Sequence, residues 1–212
     1  MAETILFDYW RSSASYRVRI ALNLAKIPYT SAGVDLLQKE HKSKPHLQRN
    51  PQGLVPALAI DGHLLTQSLA IIDYIAETRG VSFLPESATD RARVRAIAHA
   101  IAMDIHPVCN LGVVSHVMEI TGQGDKARTE WMNKFIGEGL AAVEALLQST
   151  PGPLCFGDTP TLADICLVPQ VYNAKRWNVD VSGFNRINGI VDKLQQIEAF
   201  AMAHPDRAKA TI

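Results

Sequence analysis

The fold is decided by the stretch Arg11-Ser12-Ser13-Ala14-Ser15-Tyr16-Arg17-Val18-Arg19-Ile20-Ala21-Leu22, where an apolar strand turns into a helix. The strand is Thr4-Ile5-Leu6-Phe7, and the helix buries an apolar stripe with the i, i+3, i+4, i+7 spacing of a core-facing surface. Ser12 and Ser13 fall at the helix start, and we expect Ser13 to lie closer to the capping position. Free N–H groups and the positive end of the dipole at such a start favour an anion. The positive charges of Arg17 and Arg19 lie near the positive end of the helix dipole, which is electrostatically unfavourable unless a negative group offsets them. The stretch therefore indicates an anion site.

The same stretch also fits a purely structural interpretation. A serine at this position can simply cap its helix, and the two arginines can extend their charged heads into solvent. This segment by itself does not decide between the two interpretations.

A second polar helix start lies further along the chain. The loop Asn50-Pro51-Gln52-Gly53-Leu54-Val55-Pro56 leads into the strand Ala57-Leu58-Ala59-Ile60, and Asp61-Gly62 predicts a hairpin turn. Pro56 has no N–H to give to a sheet, so the backbone groups of Val55 are left to pair outside it, particularly if the bond is cis. Gln67-Ser68 then opens another helix, with an amide and a hydroxyl at its start.

These segments resemble a known family. The runs SSASYRVRIAL, VPAL, QSLAIIDYI and GDTPTLADICLVPQV are similar to the zeta class of glutathione transferases, whose members include maleylacetoacetate and maleylpyruvate isomerases. The resemblance covers nearly the whole chain. It implies the glutathione transferase fold: an α/β thioredoxin-like amino-terminal domain with a cis bond at Pro56, an all-α carboxy-terminal helical domain, and a homodimer.

The chain divides near the segment Phe83-Leu84-Pro85-Glu86-Ser87. Before it, strand and helix signals alternate; after it, every signal is helical. We predict a thioredoxin-like, glutathione-binding domain over residues 1–83 and an all-helical domain that contributes the substrate site over residues 87–212.

The resemblance also implies which residues bind glutathione. His106-Pro107 interrupts a long helix after Ile105, and Asn110 lies one turn beyond His106 on the same face. From the residues alone, a structural histidine at a helix kink explains His106 as well as contact with glutathione does. His41 is a weaker candidate for such a contact. The implied set is Ser12, Ser13, Ala14, Ser15, Arg17, His41, Val55, Pro56, Gln67, Ser68, His106 and Asn110.

Three residues are implied to be catalytic: Ser12, Arg11 and Arg176. A glutathione thiol with a pKa of about 8.5 needs stabilisation as the thiolate, which the Ser12 hydroxyl and the adjoining helix start provide. Thiolate addition to the cis double bond of maleylacetoacetate, rotation and loss of sulfur give the trans fumaryl product. Arg11 and Arg176 match arginines near the substrate carboxylates, and planar guanidinium groups suit a small dicarboxylate. The alternative for each arginine is a solvent-facing salt bridge.

The chain departs from the family signature at three positions. Ala14 stands where the family commonly has cysteine, so a mechanism that uses a protein thiol at this site is put in doubt. Tyr16 stands where tryptophan is common. Gly112 falls near a position where some maleylpyruvate isomerases have arginine, which weakens a maleylpyruvate assignment.

Composition excludes several other classes. Lys+Arg and Asp+Glu both total 21, so neither nucleic acid nor an anionic membrane is an expected partner. The amino terminus lacks signal-peptide features and no apolar run reaches membrane-spanning length, so we expect a cytoplasmic protein. The three cysteines, Cys109, Cys155 and Cys166, lack metal-ligand or disulfide spacing, so we expect reduced, mostly core thiols and no metal site. Thr161 and Asp164 predict a capping box rather than a catalytic carboxylate.

Three functions remain open from sequence. The first is a glutathione-dependent cis–trans isomerase of tyrosine and phenylalanine degradation. The second is a zeta-class transferase acting on small α-haloacids, or a maleylpyruvate isomerase. The third is a binding module without turnover, against which the joint presence of Ser12, Val55-Pro56, Gln67-Ser68 and Arg176 argues.

Overall fold

The computed structural model describes residues 3–209, which form two compact units. One comprises residues 3–82 together with residues 197–209, and the other is Phe83–Gln196. The sequence predicts one helical domain over residues 87–212. The structure instead groups residues 197–209 with the first unit.

The first unit contains, within the described residues, a four-stranded mixed sheet in the order β2-β1-β3-β4. Its strands are β1 (Ile5–Asp8), β2 (Thr30–Gly33), β3 (Ala57–Ile60) and β4 (His63–Thr66). β1 pairs in parallel with β2 and antiparallel with β3, and β3 and β4 form the predicted hairpin around Asp61-Gly62. The helices are α1 (Ser13–Leu24), a 3-10 turn (Glu40–Lys42), α2 (Lys44–Arg49) and α3 (Ser68–Arg79).

The second unit is helical. It comprises α4 (Ala88–His99), a π-helical segment (Ala100–Ile105), α5 (His106–Val108), α6 (Leu111–Thr121), α7 (Asp125–Leu147), α8 (Leu162–Arg176) and α9 (Asn185–Leu194). Each residue of α8 from Leu162 to Val171 is buried, as the apolar sequence on all its sides predicts.

The last two helices, α10 (Glu198–Met202) and α11 (Pro205–Lys209), complete the first unit. The Asn23 side-chain amide donates to the Ala199 carbonyl at 3.0 Å, and the Arg19 Nε donates to the Ala203 carbonyl at 3.0 Å. Two side chains of α1 therefore hold this returning segment.

The helix break predicted at Pro107 lies slightly later. Pro107 falls in the first turn of α5, where a missing N–H is tolerated, and the π-helical segment carries the helix up to it. The chain bends by 40° only between Val108 and Leu111. Cys109 and Asn110 are therefore the residues at the bend.

No single helix in residues 3–209 is long and apolar enough to cross a membrane. The bent pair of segments Ala88–Val108 and Leu111–Thr121 is long and apolar enough for a membrane span only when the two are taken together, by length and composition alone. The described residues also contain no group of three or more His, Cys, Asp or Glu side chains that could hold a metal ion.

Candidate functional site

The start of α1 is capped by Ser12, not by Ser13. The Ser12 Oγ accepts a hydrogen bond from the Ser15 backbone N–H at 3.2 Å, whereas Ser13 is the first helical residue and is buried. The expectation that Ser13 lies closer to the capping position is therefore wrong. Ser12 is partly exposed, and its own O–H donates to no other residue between 3 and 209. Its oxygen is thus used by the helix while its proton remains available to an acceptor.

Arg17 and Arg19 do not extend into solvent, because each is only 2% exposed. Arg19 donates to the two carboxylate oxygens of Asp8 at 2.9 and 2.7 Å, and it also donates to the Trp10 carbonyl at 2.9 Å. Asp8 is therefore the negative group that offsets Arg19, and no ligand is needed to explain that residue.

Arg17 links α1 to the start of α3. Its Nη1 donates to the Ser68 Oγ at 3.2 Å in a buried contact. No described side chain caps α3, so its first N–H groups and the positive end of its dipole are open to an acceptor. Gln67, just before the helix, has a φ of 67°, a conformation that non-glycine residues rarely adopt and that is often found at ligand sites.

The predicted cis bond joins Val55 and Pro56, directly before β3. Among residues 3–209 the N–H and C=O of Val55 make no hydrogen bond, as the position of Pro56 predicts. The Leu54 carbonyl beside them is held by the His46 Nε2 and the Asn50 Nδ2, each at 2.9 Å. The loop is anchored while the backbone of Val55 is left open.

Side-chain contacts connect this loop to the 3-10 turn and to α3. Lys42 Nζ donates to the Gln52 carbonyl at 3.4 Å, and Gln67 Nε2 donates to Gln52 Oε1 at 2.8 Å. A Cβ on Gly53 would lie 3.0 Å from the His41 carbonyl oxygen, so the turn packs closely on the loop. These contacts bring His41, Val55, Gln67 and Ser68 into one region of the first unit.

His41 has an Nδ1 that is buried without a hydrogen-bond partner among the described residues. Burial lowers the pKa of this imidazole below its usual value of 6.5, and the neighbouring Lys42 lowers the pKa further. The lowered pKa therefore favours the neutral form of the ring at pH 7.

Arg11, Ala14 and Ser15 surround Ser12 along the chain. Arg11 Nη2 donates to the Tyr9 hydroxyl at 2.9 Å, and its guanidinium carbon lies 4.6 Å from the Trp10 ring centroid. Ala14 is half-buried, and Ser15 is fully buried, so Ser15 meets Ser12 through its backbone N–H.

His106, Asn110 and Arg176 lie in the second unit. His106 begins α5, and the Asn110 Oδ1 caps α6 by accepting from the Val113 N–H at 3.0 Å. Trp131 Nε1 on α7 donates to the Val108 carbonyl at 2.8 Å, which ties the bend to α7. Arg176 ends α8, is exposed, and donates to the Asn173 Oδ1 at 3.3 Å.

Two contacts near these residues are not predicted from the sequence. Gln52 joins Lys42 to Gln67, and an amide three residues before Val55 was the available signal. Arg128 on α7 has its guanidinium carbon 5.3 Å from the Trp177 ring centroid, next to Arg176. No local pattern indicates this contact, because 49 residues of sequence separate the two partners.

The remaining predicted features are structural. The three cysteines are buried, as expected, and form no disulfide within the described residues; burial raises the pKa of the Cys109 thiol to about 11. The capping box is confirmed: Asp164 Oδ2 accepts from the N–H of Thr161 at 2.8 Å and from its hydroxyl at 2.7 Å. The other oxygen, Oδ1, accepts from the Cys155 N–H at 2.9 Å, so both oxygens are occupied.

The chain is similar in sequence to known proteins. Residues 2–77 match the model of the glutathione S-transferase amino-terminal domain. The maleylacetoacetate isomerase of Rhizobium meliloti (strain 1021) is 62% identical over 209 residues, which cover 98% of either chain.

Two solved structures are also similar. A maleylpyruvate isomerase, described as a bacterial zeta-class glutathione S-transferase, has a TM-score of 0.93 at 39% identity, over 96% of this chain and 97% of its own. A maleylacetoacetate isomerase from Methylobacterium extorquens AM1, with malonate and glutathione bound, has a TM-score of 0.92 at 38% identity over the same shares of the two chains.

Proposed function

The chain belongs to the zeta-class glutathione transferases, in the family of the maleylacetoacetate isomerases, and on that premise we propose that it isomerises maleylacetoacetate to fumarylacetoacetate with glutathione. The observation that carries the proposal is the open start of α1. There the Ser12 Oγ serves as the helix cap while its O–H is left for an acceptor.

The first unit fits glutathione at three places. The Ser12 hydroxyl suits the sulfur, and the open N–H and C=O of Val55 suit the backbone of a tripeptide. The uncapped start of α3, with Arg17 beside Ser68, suits a carboxylate. We propose that Ser13, Ala14, Ser15, His41, Pro56 and Gln67 line the same site, and that His106 and Asn110 contribute to it.

Glutathione supplies, when bound, a sulfur nucleophile that adds reversibly to the cis double bond, which permits rotation to the trans isomer. The Ser12 hydroxyl donates a hydrogen bond to the thiolate sulfur and keeps its proton, and the α1 dipole adds positive potential, so the pKa of the glutathione thiol is lowered. Arg11 and Arg176 bind the substrate carboxylates and stabilise the negative charge that develops during addition.

The test is turnover of one preparation on maleylacetoacetate, maleylpyruvate and a dihaloacetate, with and without glutathione. We expect the fastest isomerisation with maleylacetoacetate and no net consumption of glutathione. Faster turnover of maleylpyruvate would reassign the substrate, and glutathione consumption with the dihaloacetate alone would make the protein a transferase. Glutathione binding without turnover of any of the three substrates would show that the protein is a binding module and not an enzyme for these reactions.

We further propose that the protein is a cytoplasmic homodimer that acts in tyrosine and phenylalanine degradation. A monomer by light scattering at micromolar concentration would contradict the dimer. Normal growth of a deletion strain of the source organism on tyrosine as carbon source would contradict the pathway, and fractionation of its cells would test the location.

A further inference from the structure

We infer that the Tyr9 hydroxyl binds the same substrate carboxylate as Arg11, so that the two side chains form one anion-binding pair directly after β1. The inference rests on the proposed function, which places Arg11 at a substrate carboxylate. It gives Tyr9, whose hydroxyl accepts a hydrogen bond from Arg11, a second role as a donor to the ligand.

The two aromatic residues before Arg11 fix its position. The Arg11 Nη2 donates to the Tyr9 hydroxyl at 2.9 Å, and the guanidinium carbon lies 4.6 Å from the Trp10 ring centroid and 5.8 Å from the Tyr9 ring centroid. Contacts of a guanidinium with aromatic rings leave the N–H groups at its edge for acceptors. The group is therefore oriented before a ligand arrives.

Most donors of Arg11 lack an acceptor. A guanidinium has five N–H donors, and within residues 3–209 the Arg11 side chain makes one hydrogen bond, to the Tyr9 hydroxyl. The Arg11 Nε is buried and has no hydrogen-bond partner among those residues. Buried donors are normally paired, so this N–H indicates an acceptor that a ligand supplies.

The Tyr9 hydroxyl also has a donor to spare. A phenol oxygen accepts and its O–H donates, but a guanidinium accepts nothing, so the Tyr9 proton points away from Arg11. Among the described residues this hydroxyl donates to none, and the Tyr9 side chain is partly exposed. A hydroxyl that accepts from a cation is polarised and becomes a stronger donor to an anion.

Arg11 has no counter-charge within the described residues. Asp8, three residues earlier, is fully buried and bound by Arg19 at 2.7 Å. A second cation, the Lys209 Nζ, lies 5.0 Å from the Trp10 ring centroid. An anion therefore balances this region, and a carboxylate fits the pair, because one of its oxygens can accept from the guanidinium and the other from the phenol.

Two other carboxylates, of Asp35 and Glu40, border a cavity that Tyr9 and Trp10 also line but that Arg11 does not. These carboxylates bind the backbone of their own loop: Asp35 Oδ1 accepts from the Leu37 N–H and Glu40 Oε2 accepts from the Asp35 N–H, each at 2.7 Å. Because like charges repel, the ligand carboxylate lies on the Arg11 side of Tyr9 and not in this cavity.

The test measures binding rather than turnover. Calorimetry gives the Kd of glutathione, and the Kd of malonate in the presence of glutathione, for the wild type and for variants. Tyr9→Phe removes the hydroxyl and keeps the ring beside Arg11. Tyr74→Phe is the matched control, because it removes a hydroxyl of the same unit that bonds to a charged side chain, the Asp61 carboxylate, at 2.9 Å.

We expect Tyr9→Phe to weaken malonate binding by at least about 10-fold, since a hydrogen bond to a charged group is lost. Glutathione binding by Tyr9→Phe, and both affinities of Tyr74→Phe, should change less than about 2-fold. Unchanged malonate affinity in Tyr9→Phe, or an equal loss of malonate and glutathione affinity, would overturn the inference, as would a wild type that does not bind malonate.

A second background separates direct contact from mere support of Arg11. Arg11→Lys keeps a positive charge and the Tyr9 hydroxyl, so it should still bind malonate measurably. Adding Tyr9→Phe to Arg11→Lys should weaken malonate binding by a further factor of about 5 or more. No further loss would show that Tyr9 acts only by holding the guanidinium, and complete loss in Arg11→Lys alone would leave no affinity to the hydroxyl. Either result would overturn the inference.

The outcome is separable from that of the proposed function. If the wild type does not isomerise maleylacetoacetate and malonate affinity still depends on the Tyr9 hydroxyl, the substrate proposal fails and the anion-binding pair stands. If the wild type isomerises maleylacetoacetate and Tyr9→Phe binds malonate as the wild type does, the pair fails and the function stands.

Discussion

Helices α1 and α8 each follow a polar N-cap residue, Ser12 and Thr161, but the polar groups at the start of α8 are all satisfied within the protein whereas those at the start of α1 are not. At α8, Asp164 is fully buried, and its two oxygens accept three hydrogen bonds from Thr161 and Cys155. At α1, the Ser12 Oγ accepts one hydrogen bond, and its O–H donates to no described residue. A start whose polar atoms are all satisfied serves the fold, whereas a partly exposed start with a spare donor is suited to a ligand.

The same difference separates the two arginines of α1. Arg19 is paired with the Asp8 carboxylate and bonds two backbone carbonyls, so it is enclosed by the protein. Arg17, two residues earlier, reaches the uncapped start of α3 through Ser68. The two side chains are equally buried, so burial alone does not distinguish the structural Arg19 from Arg17, which we propose lies at the glutathione site.

We expect the largest change in stability from breaking the buried ion pair between Asp8 and Arg19. Asp8→Ala leaves the buried Arg19 guanidinium without its counter-charge and should lower the free energy of unfolding by about 3–5 kcal/mol. Urea unfolding measures this change. Glu77→Ala, which removes an exposed carboxylate of the same unit, should change stability by no more than about 0.5 kcal/mol. Equal stability of the two variants would mean that the pair does not hold α1.

Ser12→Ala tests the open start. We expect turnover to fall by about 10²-fold or more and the pKa of bound glutathione to rise, because a preorganised donor to the sulfur is lost. Ultraviolet absorbance of the thiolate against pH gives that pKa. Losing the cap should also cost about 0.5–2 kcal/mol of stability.

Ser12→Gly separates the two roles of this hydroxyl. Glycine at a cap costs only a few tenths of a kcal/mol, so this variant should remain about as stable as the wild type while losing the same activity. If Ser12→Gly retained thiolate absorbance and turnover, the hydroxyl would be a cap and nothing more.

The sequence predicted the chain's strand and helix pattern, the cis bond at Pro56 and the closed start of α8, because each depends on neighbouring residues. It misassigned the cap of α1, because two adjacent serines give the same local signal and only the backbone at Ser12 decides between them. It also missed Asp8 as the partner of Arg19 and Trp177 as the partner of Arg128, since these contacts join residues on different elements. Tertiary contacts of this kind leave no periodic trace in a single sequence.

Asp164→Ala tests the closed start of α8. Removing the carboxylate leaves the buried N–H groups of Thr161 and Cys155 without an acceptor, so we expect a loss of about 2 kcal/mol. Thermal unfolding measures this loss. Turnover per folded molecule and the pKa of bound glutathione should not change, and a shift in that pKa would give Asp164 a part in the chemistry that its hydrogen bonds do not predict.

The smallest effect concerns the protonation of His41. Because burial and Lys42 lower its pKa below 6.5, the ring is neutral at pH 7 and becomes a cation only in more acidic solution. His41→Gln should therefore raise the KM for glutathione by a constant factor of about 2–3 between pH 7 and 8, where only a neutral hydrogen bond is lost. Below the lowered pKa the factor should grow, because the protonated wild type gains attraction for the glutathione carboxylates. His116→Gln removes a histidine that is 68% exposed and should leave the KM unchanged at every pH. A His41→Gln factor that falls steadily between pH 7 and 8 would show that a charged imidazole, and not a neutral one, binds glutathione.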